Sequence, residues 1–166
     1  NTTGTSNTAV GSAALNWNTT GIENTSVGES SLSMNTTGHN NTASGTYALE
    51  SNSTGSYNAA FGQQALDWNT TGSYNTGVGY LSNPSTYALF NTSALGYNAA
   101  TTESNSIRLG NDIVGWIGGH VGWSVTSDER FKKNVKEDVA GLAFVLKLKP
   151  VTYTWDIKKL EAYQGV

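Results

Sequence analysis

The sequence predicts an all-β chain, a repetitive 17-residue β-roll or β-solenoid, ending in a small α+β segment. Three observations carry that expectation. The phrase Asn-Thr-Thr-Gly begins at Asn1, Asn18, Asn35 and Asn69, with Asn52-Ser53-Thr54-Gly55 between them, so the interval is 17 residues each time. Apolar residues make up 37% and charged residues 13% of the 166, against about 45–50% and about 25% in an ordinary globular domain. Beside 19 Gly and 18 Asn stand 8 Tyr, 5 Trp and only 2 Pro, which does not match a disordered chain either. A chain with so little core material and such strict repetition completes its structure by stacking one unit on the next.

Each part of the unit has a physical reading. Asn-Thr-Thr-Gly offers side-chain-to-backbone bonding and a positive φ at its Gly, so it is a turn. A short alternating segment such as Thr8-Ala9-Val10 follows as a strand. Val10, Val27, Phe61 and Val78 share one repeat position and form a first buried stripe, which Ser44 interrupts. A second Gly turns the chain seven residues after the first (Gly4/Gly11, Gly21/Gly28, Gly38/Gly45, Gly55/Gly62, Gly72/Gly79). Leu15, Leu32, Leu49 and Leu66, each after a small residue, form a second buried stripe. One unit is then a coil of two very short strands that advances about 4.8 Å along the axis. Two large apolar side chains supply roughly 1.5–3 kcal/mol each, set against about 1–2 kcal/mol of backbone entropy per residue. Burial by further copies of the chain is therefore expected. After Gly79 the pattern departs: Tyr80 to Pro84 read as an inserted surface loop, and Asn91 to Gly96 as a degenerate sixth coil.

Charge and composition exclude several classes of function. Residues 1–100 hold no Lys or Arg and four acids (Glu23, Glu29, Glu50, Asp67), so this half cannot neutralise phosphates and no nucleic acid is expected as a partner. Without Cys there is no disulfide framework. No apolar run reaches the roughly 18 residues of a membrane span, so no membrane insertion is expected. The chain opens on the repeat phrase itself, as expected of a cut through a longer array. His39 and His120 are far apart and lack companions at ligand spacing, so neither a metal nor a cofactor is expected. The four acids are read as occupying unlike repeat positions, which argues against a hydrolase built on paired carboxylates. Trp17 and Trp68 share a position with Met34 and are read as a packing stripe. Tyr57, Tyr74, Tyr80, Tyr87 and Tyr97 either line a glycan-binding face or are ordinary strand aromatics. The Asn-x-Ser/Thr phrases at Asn18, Asn35, Asn52 and Asn69 match glycosylation acceptors but are better explained as turns. Thr pairs set directly before a turn Gly make a poor flat lattice for ice.

Over residues 1–100 the apolar-x-Gly-x-x-Ala phrase resembles the head repeats of trimeric autotransporter adhesins and the β-roll shafts of phage tail fibres. Residues 101–125 change composition, with Ser106-Ile107-Arg108-Leu109 and Ile113 to Trp123 reading as a neck of short strands and Gly turns. In residues 126–166, Thr126-Ser127-Asp128-Glu129-Arg130-Phe131-Lys132-Lys133 precedes a short amphipathic helix over Val139 to Leu148, stopped by Pro150, and a strand over Val151 to Trp155. Taken alone, Ser127 is a candidate helix N-cap and Lys132 a solvated charge.

This last stretch closely resembles the start of the intramolecular chaperone domain that ends phage tail spikes and endosialidases. The resemblance implies a homotrimer, a domain that brings the β-rich shaft into register, and self-cleavage at Thr126–Ser127. Ser127 would then be the nucleophile and Lys132 its base, with Arg130 and Lys133 lowering the amine's pKa. No activity on foreign substrates is implied. The function implied is a structural segment of a phage tail fibre that attaches to a host cell-surface receptor or glycan, located in the virion or at a cell surface. The alternative is a bacterial trimeric surface adhesin, which an upstream secretion signal or outer-membrane anchor would mark.

Overall fold

A computed structural model describes residues 2–119. Nine short strands follow in order: β1 (Thr8–Val10), β2 (Thr25–Val27), β3 (Thr42–Ser44), β4 (Ala59–Phe61), β5 (Thr76–Val78), β6 (Asn83–Pro84), β7 (Thr92–Leu95), β8 (Ala100–Thr101) and β9 (Ser106–Leu109). Seven form one parallel sheet in the order β1-β2-β3-β4-β5-β7-β9, and β6 pairs with β8. Register is kept from coil to coil, as in Thr8↔Thr25, Ala9↔Ser26 and Val10↔Val27. The fold is thus the all-β solenoid with 17-residue turns that the repeat predicts. The expected helix over Val139 to Leu148, the strand over Val151 to Trp155, His120 and the rest of the segment from residue 120 onward lie outside the described residues.

Which side chains enter the coil follows from strand alternation and from the narrowness of the interior. Ala43 and Ala60, the middle residues of β3 and β4, are fully buried, and Ser26 and Gly77 occupy the same position in β2 and β5. Their neighbours at the ends of each strand must then face outward. Val10, Val27, Phe61 and Val78 accordingly lie exposed on the outer face of the sheet, so the first stripe expected to be buried is external. The second stripe is internal: Leu15, Leu32, Leu49 and Leu66 pack with Ala48 and Ala65 in one core.

Buried asparagines occupy the space that a larger core would fill. Asn18, Asn35, Asn52 and Asn69 each donate a side-chain N–H to the Gly carbonyl three residues on, at 2.9 Å in every coil. They also bond to each other along the axis, Asn35 Nδ2 to Asn18 Oδ1 and Asn52 Nδ2 to Asn35 Oδ1, both at 2.8 Å. A second column runs through Asn7, Asn24, Asn41, Asn58 and Asn75. Asn24 Nδ2 donates to Gly38 O at 2.9 Å, and its Oδ1 accepts the backbone N–H of Asn41 at 3.0 Å. Asn41 and Asn58 repeat both bonds one and two coils on. Each Gly carbonyl thus takes two amide donors, one per lone pair, as at Gly55 from Asn41 and Asn52.

The two glycines of the unit are required for different reasons. Gly11, Gly28, Gly45, Gly62 and Gly79 have φ between 124° and 140°, a region that L side chains avoid, and they end the strands after three residues. Gly21, Gly38, Gly55 and Gly72 are not left-handed, contrary to the reading of the turn. A Cβ on Gly38 would collide with Gly55 O and Asn35 Oδ1, so close packing excludes a side chain there. The left-handed residue comes two positions later, at Glu23, Asn40, Tyr57 and Tyr74. Leu15, Leu32, Leu49 and Leu66 are also left-handed, with φ of 49–51°. That is why no second strand forms at the leucines, although Leu32 N still bonds to Ala48 O at 3.0 Å and Leu49 N to Ala65 O at 2.9 Å.

Tyr80 to Pro84 are not an inserted loop. Thr76 pairs with Ser93, Asn98 N bonds to Tyr80 O at 2.9 Å and Asn83 N to Ala99 O at 3.0 Å, so the 17-residue period continues through the sixth coil. Asn83 takes the position of the leucines and is not left-handed, and here the second strand (β6) does form. The period falls to 14 only in the seventh coil, where Thr92 pairs with Ser106.

This lattice predicts that Asn41→Ala leaves the Asn58 N–H and one lone pair of Gly55 O without partners in a buried setting, at about 1–3 kcal/mol for each group. Urea unfolding should show a lower midpoint at unchanged slope, while Thr37→Ala on the surface should shift stability by no more than about 0.5 kcal/mol.

Candidate interaction surfaces

Because small residues and asparagine fill the interior, nearly every large side chain other than the four leucines is displayed outward. On the sheet's outer face Val10 is 57% exposed and Ile107, in β9, 73%. Val27, Phe61 and Val78 stand in register with Val10, with Ser44 between Val27 and Phe61, while Ile107 stands in register with Ser93. A second row, Trp17, Met34 and Trp68, is also exposed, with Trp17 at 67%. It flanks a groove of about 360 Å³ lined by Trp17, Met34 and Thr36. This row is a surface feature and not the packing stripe that was expected, since the inward positions beside it are held by Leu15 and Asn18.

Tyr57, Tyr74, Tyr80, Tyr87 and Tyr97 stand on turns and bends, not on strands. Tyr57 and Tyr74, one coil apart, are stacked at 5.1 Å with parallel rings, and His39 meets Tyr57 edge-on at 5.3 Å. Ser56 Oγ lies 3.1 Å from His39 Nδ1. Tyr80 and Tyr97 form a second stack at 5.9 Å. Tyr97 also borders a cavity of about 390 Å³ with Asn98, Thr102, Arg108, Asn111 and Asp112. The candidate acceptor asparagines Asn18, Asn35, Asn52 and Asn69 are buried, and their amides are engaged inside the coil. The first Thr of the turn is likewise engaged: Thr19 Oγ1 donates to Thr36 O at 2.8 Å and Thr36 Oγ1 to Ser53 O at 2.9 Å.

The acids are not all at unlike positions. Glu50 and Asp67 are 17 residues apart and occupy the same position in adjacent coils. Burial pushes the Glu50 carboxyl above its ordinary range, and the neighbouring Asp67 charge adds to this. Burial also raises Asp67, against a lowering hydrogen bond from Gln64. The 17-residue subtraction alone would have found this pair.

Ser127, Lys132 and the Thr126–Ser127 bond lie outside the described residues, so the structure does not bring the proposed dyad together or separate it. Comparison with known families reaches that segment. Residues 127–164 match the family described as the chaperone of endosialidase. The match begins at Ser127 and covers the stretch in which the sequence resemblance was found. No curated protein and no solved structure matches the chain. The chaperone-of-endosialidase segment and the solenoid coils thus occupy successive parts of one chain.

Glu50 and Asp67 give the coils a defined response to acid. Their folded pKa values lie above those of the unfolded chain, so the native state holds more protons and stability rises as pH falls through the folded values, levelling off below the ordinary carboxylate range near about 4. Thermal unfolding between about pH 7 and about pH 4 should show this gain, and the Glu50→Gln/Asp67→Asn double variant should show a smaller one.

Proposed function

We propose that the chain is a segment of a homotrimeric fibre of the phage tail-fibre type, located in the virion or at a cell surface, that carries a host-attachment surface. The coarser reading, a structural role like that of a phage tail fibre, rests on the solenoid together with the chaperone-of-endosialidase match at residues 127–164. The observation that carries the trimer is the outer face of the sheet. Val10, Val27, Phe61 and Val78 stand exposed in one register column of the parallel strands, interrupted by Ser44, and Ile107 is exposed in the register column of Ser93. An exposed apolar row of this kind is covered by protein in a stable assembly. Three copies placed about a common axis would bury it and supply the apolar contact that the interior of each coil lacks. The resemblance at the C-terminal segment supports three as the number.

In this proposal the chaperone segment aligns the three chains and then severs itself. Ser127 Oγ attacks the carbonyl of Thr126 while Lys132 takes the hydroxyl proton and passes it to the departing Ser127 nitrogen. Water then hydrolyses the Thr126–Oγ ester, freeing the Thr126 carboxylate and restoring the hydroxyl, and the chain itself delivers the bond to be cut.

Native mass spectrometry of the expressed parent tests both parts. The expected species holds three copies of a product ending at Thr126. Ser127→Ala should remain a trimer and stay uncut, and a Phe61→Glu/Val78→Glu variant should release single folded chains. Single chains from the unaltered parent at micromolar concentration would contradict the trimer. An uncut parent would remove the roles given to Ser127 and Lys132.

A further inference from the structure

The seventh coil is three residues shorter than the others, and the shortening opens a cavity. The last inter-coil bond of the sheet runs from Gly110 N to Leu95 O at 2.7 Å. Beyond it the chain bonds locally, Ile113 N to Asn111 Oδ1 at 3.1 Å and Val114 N to Asn111 O at 3.3 Å. Between this turn and the sixth coil lies the space of about 390 Å³ bordered by Tyr97, Asn98, Thr102, Arg108, Asn111 and Asp112. That is within the range of about 300–1,000 Å³ in which proteins hold small ligands.

Its lining combines one aromatic ring with a fixed donor and acceptor. Tyr97 is 58% exposed and rests on Tyr80, whose stacking holds the ring in place. Arg108 is the one Lys or Arg among residues 1–119. Its Nε donates to Gly110 O at 3.0 Å and its Nη2 to Asp112 Oδ1, so the guanidinium is held from two sides. Three guanidinium N–H groups and the second Asp112 oxygen remain to be satisfied by solvent or by a ligand. The pair is accessible, with side-chain exposures of 40% for Arg108 and 95% for Asp112. Arg108 and Asp112 are also the charged members of the lining, and their charges cancel.

We propose that this cavity binds a neutral sugar carrying vicinal hydroxyl groups. One face of a pyranose presents C–H groups, which suit the negative face of the Tyr97 ring. Two adjacent hydroxyls then match the Arg108–Asp112 pair, one accepting from the guanidinium and the other donating to the carboxylate, while Asn98, Thr102 and Asn111 complete the polar rim. An acidic sugar would meet the Asp112 charge beside the guanidinium. The proposal deepens the attachment reading and rests on it, by naming the ligand class and the place on the fibre.

The test is saturation-transfer NMR on the intact chain with methyl glucoside, methyl mannoside and methyl galactoside, and with methyl glucuronoside as the acidic comparison. A ligand of this size should bind at about millimolar Kd. Transfer to the ring C–H protons of at least one neutral glycoside is expected. At least about tenfold weaker binding should follow Tyr97→Ala and Arg108→Ala, with a smaller loss for Asp112→Asn, while Tyr57→Ala should bind as the parent does. Circular dichroism confirms that each variant keeps its fold. No transfer from any neutral glycoside, preference for the glucuronoside, or equal binding by folded Tyr97→Ala would each overturn the proposal. A chain that trimerises yet ignores these sugars loses this inference alone, and one that binds them as a single chain loses the fibre reading alone.

Discussion

Everything described in the solenoid depends on the side-chain amide of a buried asparagine. A backbone carbonyl turned inward in a coil this narrow has no water to bond and costs free energy unless a donor reaches it. Asparagine brings two donors and an acceptor on a short stem, and each Gly carbonyl takes one of them from its own coil and one from the coil before. Asn24 and Asn35 meet on Gly38 O, and Asn58 and Asn69 on Gly72 O, all four bonds at 2.9 Å. The same amides link one coil to the next, so turn closure and axial stacking are a single network. Such a network is strong when every member is satisfied, and among the described residues Thr101 Oγ1 is the buried side-chain atom without a partner.

That choice of interior determines the exterior. With asparagine, alanine and the leucines Leu15, Leu32, Leu49 and Leu66 filling the coils, Val10, Val27, Val78, Trp17, Trp68, Tyr57, Tyr74 and Phe61 have nowhere to go but the surface. Buried apolar area per coil is small, and the outward apolar row is what a neighbouring copy would cover. The interior accounts for the strictness of the sequence: Gly38 cannot carry a Cβ, and Gly45 cannot give up its φ of 140°. Surface positions vary freely from coil to coil. The seventh coil, where the period shortens, is where a recess with mixed polar lining appears.

Much of this was legible in the sequence. The period, the strand at Thr8-Ala9-Val10, the internal leucines and the turn role of Asn18 follow from spacing and residue chemistry. The errors have physical causes. Hydrophobicity alone placed Val10 and Val27 inside, whereas strand alternation with Ala43 and Ala60 inward puts that column outside. Gly in Asn-Thr-Thr-Gly suggested a left-handed φ, but here its lack of a side chain is what matters, and Leu32 and Tyr57 take the left-handed conformation instead. Residue types after Gly79 look irregular while their spacing does not, so residue type alone makes Tyr80 to Pro84 a loop and the spacing makes them part of a coil. The cavity at Tyr97, Arg108 and Asp112 was not legible, because a 14-residue coil leaves no repeated phrase to mark it. The second asparagine column and the Glu50/Asp67 pair are legible in the period alone, without a repeated phrase to mark them.

Native-state hydrogen exchange reads the asparagine lattice most directly. The backbone N–H groups of Asn41, Asn58 and Asn75 bond to side-chain oxygens of the preceding coil at 2.9–3.0 Å, outside the strands. If the lattice holds the coils together, these amides exchange as slowly as those of Ala43 and Ala60 in the sheet, at the rate set by global unfolding. Exchange at these asparagines much faster than in the strands would show that the sheet holds the solenoid and that the buried amides merely fill it.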